Sequence, residues 1–359
     1  MFDRNTLWHL TLVVFSVALS LAFESSLWLI LYPSVFVVNE IADLAWGFSM
    51  FDDTVRVRRG YQWFNLFLDR PEDGRRDLTE GFFNGVDDKS VAQAMHDKYD
   101  YVIAALGLKP GDALLDIGCG YGQFIAYACS KGIRARGLTL SPQQASSAQS
   151  RGLDVICEDG RALPPALYGQ FDAVTYFGCL EHFCPVHFWH HPDRQDRIYR
   201  QVFKNSFALL KPDSPHRRIF TTTLHRTEAR WSLWDYVVGY FLQRHYGGVY
   251  PKAPDGLHKN SAPWFRTSEI ADRTDDYRLT SVRDPEHFGA FSIRWTPRRF
   301  FWLFALLFFD PYALHKWGYH YLGAWMWQFG GRAGAAPTER VASLFWIVYQ
   351  AVPVDRCSS

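Results

Sequence analysis

A glycine-rich loop directly after a short apolar run is the first feature that could carry chemistry. Ala113 to Ile117 predicts a buried strand, and Gly118, Gly120 and Gly122 follow it. Such glycines let the backbone approach a ligand closely and leave the N–H groups of a helix start facing it, which suits a nucleotide or a carboxylate. Because the loop lacks the GxGxxG spacing of dinucleotide binding, the sequence does not favour a nicotinamide cofactor.

The mouth of the next predicted strand, Ile133 to Leu138, supports the same conclusion. A dinucleotide-binding fold places an acidic residue about 20 positions after the loop, where it binds a ribose. No Asp or Glu occurs between residues 130 and 152, and hydroxyl and amide groups stand there instead, in Thr139, Ser141 and Gln144. These groups would face a ribose or a methionine moiety.

Three ionisable side chains follow later strands and are candidates for proton transfer. Glu181 and His182 come just after the predicted strand Ala173 to Phe177. His225 comes directly after the predicted strand Ile219 to Leu224. The carboxyl ends of parallel strands form the edge where such sheets bind ligands, and a carboxylate or an imidazole there can act as a general base. Glu181 is the leading candidate. The alternatives are a helix-capping role for Glu181 and a structural role for His182.

A cluster of histidines with one cysteine follows the same strand. It consists of His182, Cys184, His187, His190 and His191. Tetrahedral zinc sites bring in a second pair of ligands from elsewhere in the chain, and the sequence supplies no such pair. We therefore expect no metal here. We predict that these residues form a loop or helix near the pocket for the substrate that accepts the transferred group, called the acceptor pocket, or near a membrane surface.

Hydrophobic periodicity predicts alternating helices and strands from residue 91 onward. Val91 to Leu108 has apolar positions at helical spacing and ends at a Pro-Gly breaker. Beyond the strands named above, we predict strands at Val155–Cys157, Tyr277–Val282 and Ser343–Tyr349, and helices at 124–129, 143–150 and 196–210. This alternation is typical of an α/β fold built from βαβ units.

The composition limits the classes of partner. The 359 residues carry a formal net charge of +1, so no large basic face is available and we expect no nucleic-acid partner. Aromatic residues make up 17% of the chain and charged residues 21%, which is less charge than the roughly 25% of an ordinary soluble domain. The surplus of large apolar side chains fits a protein that contacts lipid. Six cysteines without a CxxC pair predict reduced thiols in a cytosol-facing protein.

Apolar segments at the N-terminus predict contact with a membrane. Leu7 to Phe23 is 17 residues without a formal charge, at the lower limit for a span, and Leu27 to Val38 contains Pro33 and is better explained as a re-entrant or interfacial piece. Arginines flank the pair, so both flanks would stay cytoplasmic. The aromatic run Phe300 to Phe309 is a second candidate for the interface. The alternatives are a buried helical hairpin and an aromatic core.

Several stretches resemble one enzyme family. LKPGDALLDIGCGYG at 108–122, GLTLSPQQ at 137–144 and EDGRAL at 158–163 are similar to S-adenosylmethionine-dependent methyltransferases. Glu181-His182, DPEHFG at 284–289 and WGYHYL at 317–322 are similar to their cyclopropane-fatty-acid synthase-like branch. The resemblance covers roughly residues 95 to 351. It implies a Rossmann-like seven-stranded methyltransferase sheet with an inserted helical substrate subdomain, and S-adenosylmethionine as cofactor.

The resemblance also implies which residues hold that cofactor. Asp116 and the first glycines would bind the methionine end, residues 139–141 with Gln144 the ribose, and Asp159 the adenine amine. The full set of candidate cofactor-binding residues is Asp116, Gly118, Cys119, Gly120, Thr139, Leu140, Ser141, Gln144, Asp159 and Gly160.

Two positions depart from the family's pattern. Its members usually carry a Cys in a YSC stretch and a Tyr shortly after an FG motif, and both help hold a bicarbonate that serves as base. The corresponding stretches here are LTEGFF at 78–83 and FGAF at 288–291, without Cys or Tyr. Bicarbonate is a cofactor candidate that the resemblance implies. Because the Cys and the Tyr are missing, the sequence predicts methyl transfer but does not choose among a cyclopropane, a methylene and a methyl branch as the product.

These inferences combine into one expected organisation. The expected activity is C-methylation of an unsaturated lipid, most simply a phospholipid acyl chain, by a membrane-associated protein with a cytoplasmic catalytic domain. The alternatives are N- or O-methylation of a membrane-dissolved quinone or sterol-like compound, and a non-catalytic lipid-surface protein. The expected domains are a membrane-associated segment (1–55), a linker and cap (56–95), the cofactor-binding domain (96–225), acceptor-binding insertions with the sixth strand (226–340) and the last strand (341–352).

Overall fold

The computed structural model describes residues 4–46, 48–50, 79–86, 88–253, 255–283 and 339–353, together with the single positions 55, 57, 58, 77, 297 and 301. The family-like stretches at 284–289, 288–291 and 317–322 lie outside the described residues, as does the aromatic run at 300–309 apart from Phe301.

A twisted sheet with helices on both faces forms the body of the protein. Its strands are β1 (Ala113–Ile117), β2 (Arg134–Thr139), β3 (Val155–Cys157), β4 (Ala173–Phe177), β5 (Arg218–Arg226), β6 (Phe265–Asp272) and β7 (Ala342–Ala351). The helices are α1 (Arg4–Ala22), α2 (Leu31–Trp46), α3 (Val91–Leu106), α4 (Gln123–Ser130), α5 (Pro142–Gln149), α6 (Pro192–Leu209), α7 (Leu233–Tyr246) and α8 (Thr274–Arg283).

The seven strands have the order β3-β2-β1-β4-β5-β7-β6. The first five are parallel, whereas β7 runs antiparallel between β5 and β6. The chain leaves β1 towards β2 on one side and later returns to β4 on the other, so β1 and β4 flank the point where the strand order reverses. Ligands of open α/β sheets bind outside the carboxyl ends of the strands at such a point.

Two apolar layers hold the helices on the sheet. On one face Tyr99, Val102 and Leu106 of α3 join α4 and α5 over the sheet, and on the other face Tyr199 and Phe203 of α6 join the opposite side chains of the same strands. β1 and β4 are buried along their whole length because both faces are covered. This explains their nearly continuous apolar sequences.

Most of the predicted elements are confirmed, and one is wrong. The strands predicted at 113–117, 155–157 and 173–177 have those bounds. The predicted sixth strand at Tyr277–Val282 instead lies in α8, and the true β6 precedes it at Phe265–Asp272. Asp272 Oδ1 accepts hydrogen bonds from the N–H and the hydroxyl of Thr274, which starts the helix. β6 is a largely exposed edge strand, so no apolar run marks it.

The N-terminal segment forms a helical hairpin. α1 is joined through a 3₁₀ turn, Ser26–Ile30, to α2. The second apolar run is longer than predicted, because Pro33 lies in the first turn of α2, where a proline is tolerated, and the helix continues to Trp46. By length and composition, Ser26–Trp46 is the one described helix that could cross a membrane, with the shorter apolar helix Leu7–Ala22 before it.

The polarity of α2 is inverted relative to an ordinary surface helix. Its buried residues are Asn39, Glu40 and Asp43, all polar or charged. Large apolar side chains of the hairpin face outward instead, among them Leu7, Val14, Phe15, Leu21, Phe23, Leu27, Val37, Val38, Ile41 and Trp46. A helix with this pattern hides its charges in the protein and presents hydrocarbon to its surroundings.

Buried ion pairs fix the hairpin to the body. The Arg244 side chain, on α7, contacts Asp43 at 2.6 Å and Glu40 at 3.0 Å and is fully shielded from solvent. The Tyr240 hydroxyl donates a hydrogen bond to Glu40 at 2.8 Å. Removing one partner of such a buried pair leaves an uncompensated charge, which is strongly destabilising. The contacts therefore set α2 firmly against α7.

Candidate active site

A cavity opens at the carboxyl ends of β1, β2 and β4, at the point where the strand order reverses. Its walls combine the glycine loop, the mouth of β2, the turn after β4 and a segment that precedes α3. Its lining includes Asp77, Thr79, Glu80, Asp116, Gly118, Cys119, Gly120, Thr139, Leu140, Gln144, Glu158, Asp159, Gly160, Arg161, Phe177, Glu181, His182, Leu224 and Tyr250.

The glycine loop forms the floor of the cavity. Gly118 and Gly120 have φ values of +81° and +54°, which side chains rarely adopt. A Cβ at Gly118 would lie 2.7 Å from Cys179 Cβ, so packing requires that glycine. A Cβ at Gly120 would meet nothing within 4 Å, although the residue lines the cavity. The space above Gly120 is therefore open to a ligand.

Asp116 places a buried carboxylate next to this loop. It lies in β1 opposite Thr175 of β4, whose hydroxyl donates a hydrogen bond to Asp116 Oδ1 at 2.8 Å. Burial raises the pKa of Asp116 to about 7, despite that bond and the distant charge of Lys98. A cationic ligand beside Asp116 would favour the ionised carboxylate and lower its pKa again.

The mouth of β2 brings three of the four predicted residues to the cavity. Thr139, Leu140 and Gln144 line it, and the Thr139 hydroxyl donates to Gln144 Oε1 at 2.6 Å. Ser141 does not line it. Its hydroxyl accepts the Gln144 N–H at 3.3 Å and so caps α5, which is a structural role.

Asp159 and Gly160 lie at the end of the cavity beyond β3. Both carboxylate oxygens of Asp159 accept hydrogen bonds from Arg161, the closest at 2.7 Å. Burial raises the pKa of Asp159, but the Arg161 hydrogen bonds outweigh it and lower the pKa below its ordinary value. A Cβ at Gly160 would lie 2.5 Å from Ile117 Cγ2, so the backbone there passes close to β1.

Glu181 and His182 form a 3₁₀ turn after β4 and line the same cavity. Glu181 is 1% exposed and its Oε1 accepts the N–H of Leu224, on β5, at 3.3 Å. Within the described residues Glu181 Oε2 has no hydrogen-bond partner. Burial raises the pKa of Glu181 to about 8, and the nearby Glu80 charge adds to the increase. The side chain does not cap a helix.

The two histidines differ in position. Burial lowers the pKa of His182 to about 4, so its ring is neutral at physiological pH, and it packs edge-on against Tyr250. His225 is fully buried, bonds the Thr223 carbonyl through Nδ1 and does not line the cavity. Successive side chains of a strand point to opposite faces, so Leu224 faces the site and His225 faces away.

Sequence reasoning missed a buried polar cluster above the cavity. Lys98, fully buried on α3, contacts Asp77 at 2.8 Å, and the Tyr99 hydroxyl donates to Asp77 at 2.6 Å. Burial raises the pKa of Asp77, but Lys98 outweighs it and holds the pKa well below its usual range. Glu80 lies on the same segment and accepts the indole N–H of Trp346 at 2.5 Å. No sequence pattern marks these residues, because their partners are distant in the chain.

The charge of the cavity suits a cationic ligand. The described residues of its lining include six carboxyl groups, in Asp77, Glu80, Asp116, Glu158, Asp159 and Glu181, and the arginine Arg161. The charge of Arg58 also acts on Asp159 and helps to lower its pKa. A sulfonium or ammonium group would favour the ionised forms of Asp116, Glu80 and Glu181, whose pKa values burial raises to about 7 or 8. Together with the open space above Gly120, the lining fits S-adenosylmethionine. Among the described residues no group of three or more His, Cys, Asp or Glu side chains is arranged to hold a metal.

Comparisons with known proteins identify relatives of the chain. The family model described as mycolic acid cyclopropane synthetase matches residues 52–245. A probable fatty acid methyltransferase of Mycobacterium tuberculosis is 39% identical over 98 residues, which is 26% of this chain and 23% of the relative. The cyclopropane-fatty-acyl-phospholipid synthase of Escherichia coli is 36% identical over 132 residues, which is 35% of this chain and 31% of the relative. The chain thus spans less than a third of either relative's length.

Solved structures share the fold. A mycolic acid cyclopropane synthase complexed with SAH and CTAB superposes with a TM-score of 0.58 at 21% identity, and the match covers 83% of this chain and 98% of that one. This likeness confirms the α/β methyltransferase fold with its mixed seven-stranded sheet.

Proposed function

Because the chain belongs to the mycolic acid cyclopropane synthetase family, we propose that it is an S-adenosylmethionine-dependent methyltransferase that acts on a carbon of an unsaturated lipid, most simply a phospholipid acyl chain. The observation that carries the proposal is the cavity at the ends of β1, β2 and β4, which joins a glycine loop with open space above it to a wall of carboxylates. The relatives that act on fatty acyl groups support the choice of acceptor.

The proposed cofactor contacts follow the walls of the cavity. Asp116 and the backbone of the glycine loop would hold the methionine end, since they supply a carboxylate for an ammonium and N–H groups for a carboxylate. Thr139 and Gln144 would bind the ribose. Asp159 would accept a hydrogen bond from the adenine amine, which would replace one of its hydrogen bonds from Arg161. Cys119, Leu140 and Gly160 would contribute close packing. Ser141 would act only by fixing the turn that carries Gln144.

The protein's part in the reaction is positioning, exclusion of water and proton removal. The bound cofactor supplies an activated methyl group for an alkene carbon. Phe177, Tyr250 and the other aromatic walls would keep the slot dry and face the cationic carbon that results. Glu181 would remove the proton that completes the product, directly or through an adjacent anion, for which bicarbonate is the dissolved candidate. His182 would pack beside Glu181 as a neutral ring.

The inverted hairpin supports a membrane-associated protein, and the cytoplasmic position of its catalytic domain stays a prediction. Many large apolar side chains of the hairpin are exposed, and a bilayer would cover them. Leu233, Trp234 and Tyr236 at the start of α7 are also large apolar or aromatic side chains exposed to solvent. Since Arg244 fixes the hairpin to the body, the proposed bilayer contact would bring a lipid acceptor to the domain.

Replacing outward apolar side chains should release the protein from membranes. The variant Val38→Gln, Ile41→Gln, Trp46→Gln keeps the buried pairs of Glu40 and Asp43 with Arg244, so the fold should persist while bilayer contact weakens. We expect it to move from sedimented vesicles to the supernatant, with cofactor affinity unchanged.

The matched control changes three exposed apolar residues of the body, Val86→Gln, Tyr168→Gln and Ile270→Gln, and should still sediment with vesicles. Equal sedimentation of the hairpin variant and the wild type would contradict the proposed membrane contact.

Asp159→Ala should weaken cofactor binding without unfolding the protein. A charge-assisted hydrogen bond is worth about 1.5–3 kcal/mol, so affinity should fall by one to two orders of magnitude. Asp154→Ala is the control, because Asp154 also pairs with an arginine, Arg136 at 2.7 Å, but lies outside the cavity lining. Calorimetry that shows less than about a threefold difference between the two variants would reject the adenine contact.

The function as a whole is tested by the lipids of cells with and without the protein. We expect mass spectrometry to show acyl chains heavier by one methylene unit only where the protein is present. The same gain on a quinone, a sterol-like compound or a headgroup would replace the proposed acceptor, and an unchanged lipid profile would reject the proposed function.

A further inference from the structure

A second carboxylate stands beside Glu181 in the cavity. A Cβ built on Gly178 would lie 3.3 Å from Thr79 Cγ2 and 4.0 Å from Glu181 Oε1, so the segment that carries Thr79 and Glu80 passes the end of β4 next to Glu181. Glu80 and Glu181 both line the cavity and both are 1% exposed. The charge of Glu80 raises the pKa of Glu181, so the two carboxyl groups interact across this space.

The segment that carries Glu80 is held at both ends. Before Glu80, Lys98 contacts Asp77, and the N–H of Gly81 after it donates to Thr280 Oγ1 of α8 at 2.9 Å. The N–H of Phe83 donates to Asp276 Oδ1 at 2.8 Å. The Glu80 carboxylate itself accepts the Trp346 N–H from β7. Contacts with α3, α8 and β7 thus hold the Glu80 carboxylate in a buried position, although a charged carboxylate has a lower free energy in water.

The charges around Glu80 leave it able to exchange a proton at neutral pH. Burial raises the pKa of Glu80 to about 7; Lys98, on α3, opposes the rise, and Asp77 of the same segment adds to it. Lys98 is already paired with Asp77, so it does not fully neutralise Glu80. Among the described residues, Glu181 after β4 lines the same cavity, and Arg273, between β6 and α8, lies 5.4 Å from the ring of Trp346, which donates to Glu80. A base near pKa 7 matches what proton removal at physiological pH requires.

We propose that Glu80 is the carboxylate that accepts the proton in this site, so that the chain carries within itself the anion that would otherwise have to bind beside Glu181. The inference rests on the proposed function and specifies its last step. After an alkene π pair has bonded to the methyl carbon and the C–S pair has left with sulfur, the acceptor holds a cationic carbon. Glu80 takes a proton from the new methyl group or a neighbouring carbon, and that C–H pair forms the ring bond or the double bond. Glu181 lies alongside in the same cavity wall, and the charge of ionised Glu80 raises the pKa of Glu181.

Chemical rescue tests this role. Methyl incorporation into unsaturated phospholipid vesicles is measured for the wild type, Glu80→Ala, Glu80→Gln and the surface control Glu228→Ala, each with and without bicarbonate or formate. We expect wild-type turnover to be insensitive to added anion. Turnover of Glu80→Ala should fall by about 10²-fold or more and partly recover with anion, because the vacated space admits a small carboxylate. Glu80→Gln should be equally slow without recovery, since its side chain fills that space, and Glu228→Ala should equal the wild type.

The pH profile separates catalysis from scaffolding. A base must be ionised, so wild-type turnover should rise with pH through the pKa of Glu80, and in rescued Glu80→Ala the rise should follow the added anion instead. Stimulation of the wild type by bicarbonate would overturn the inference. Wild-type turnover of Glu80→Gln, whose amide oxygen can still accept the Trp346 N–H, would also overturn it. Slow, unrescued turnover of Glu80→Ala with unaltered pH dependence and a large melting loss would also overturn it. A wild type without any methyl incorporation would instead reject the proposed function.

Discussion

Changing Glu181 to Gln should lower turnover by about 10²–10⁴-fold while cofactor affinity stays within about a factor of three. Gln keeps the size of the side chain and the acceptor for the Leu224 N–H, but it cannot ionise. The site would therefore lose a carboxylate whose charge offsets the cationic carbon and supports removal of the proton. A bound sulfonium favours the ionised form of Glu181, so the loss acts in the loaded enzyme even though burial raises the pKa of the free protein's carboxyl to about 8.

A paired measurement of melting temperature and labelled-methyl incorporation distinguishes this role from a structural one. The matched control is Asp172→Asn, a buried carboxylate that accepts the Ala113 N–H and pairs with Lys211 at 2.5 Å, outside the cavity lining. We expect the control to lose melting temperature and keep turnover per folded molecule. Near-wild-type incorporation by Glu181→Gln would end the catalytic assignment.

Changing Gly120 to Val should abolish S-adenosylmethionine binding. The added side chain would project into the open part of the cavity, where nothing of the protein lies within 4 Å. Calorimetry on the purified protein measures the loss directly.

Backbone strain requires its own control, because φ at Gly120 is +54°. Gly152→Val carries the same cost, with φ at +77° and open space around the Cβ, but Gly152 does not line the cavity. We expect Gly152→Val to bind the cofactor normally. Unchanged affinity in a folded Gly120→Val protein would show that the cofactor lies elsewhere.

Those parts of the fold and the site that depend on local signals could be predicted from the sequence. β1 and β4 are buried on both faces and read as short apolar runs, and the loop after β1 needs glycines because φ is positive. Thr139 ends β2, Gln144 lies in the helix after it, and Glu181 follows β4, so all three lie at one edge of the sheet. The edge strand β6 lacks this signal because its side chains are mostly exposed, whereas the sequence of α8 predicts a strand at Tyr277–Val282 that does not form.

Contacts between distant residues could not be predicted in this way. The Glu80 carboxylate meets Trp346 across 266 positions, and Asp43 meets Arg244 across 201. The segment before α3 therefore read as a linker, although it builds a wall of the cavity. His225 shows a different limit. Its position near the end of β5 could be predicted from the sequence, but the face of the sheet to which its side chain points could not, because a shift of one residue moves a side chain to the opposite face.

The most direct test of the proposed function supplies the purified protein with S-adenosylmethionine that carries a fully deuterated methyl group, together with vesicles of a mono-unsaturated phospholipid or of its saturated counterpart. We expect deuterium in the acyl chains of the unsaturated lipid alone, with two deuterium atoms retained if the proton comes from the new methyl group and three if it comes from a neighbouring carbon. Equal labelling of saturated lipid, label confined to the headgroup, or no label in either lipid would contradict methyl transfer to an alkene carbon.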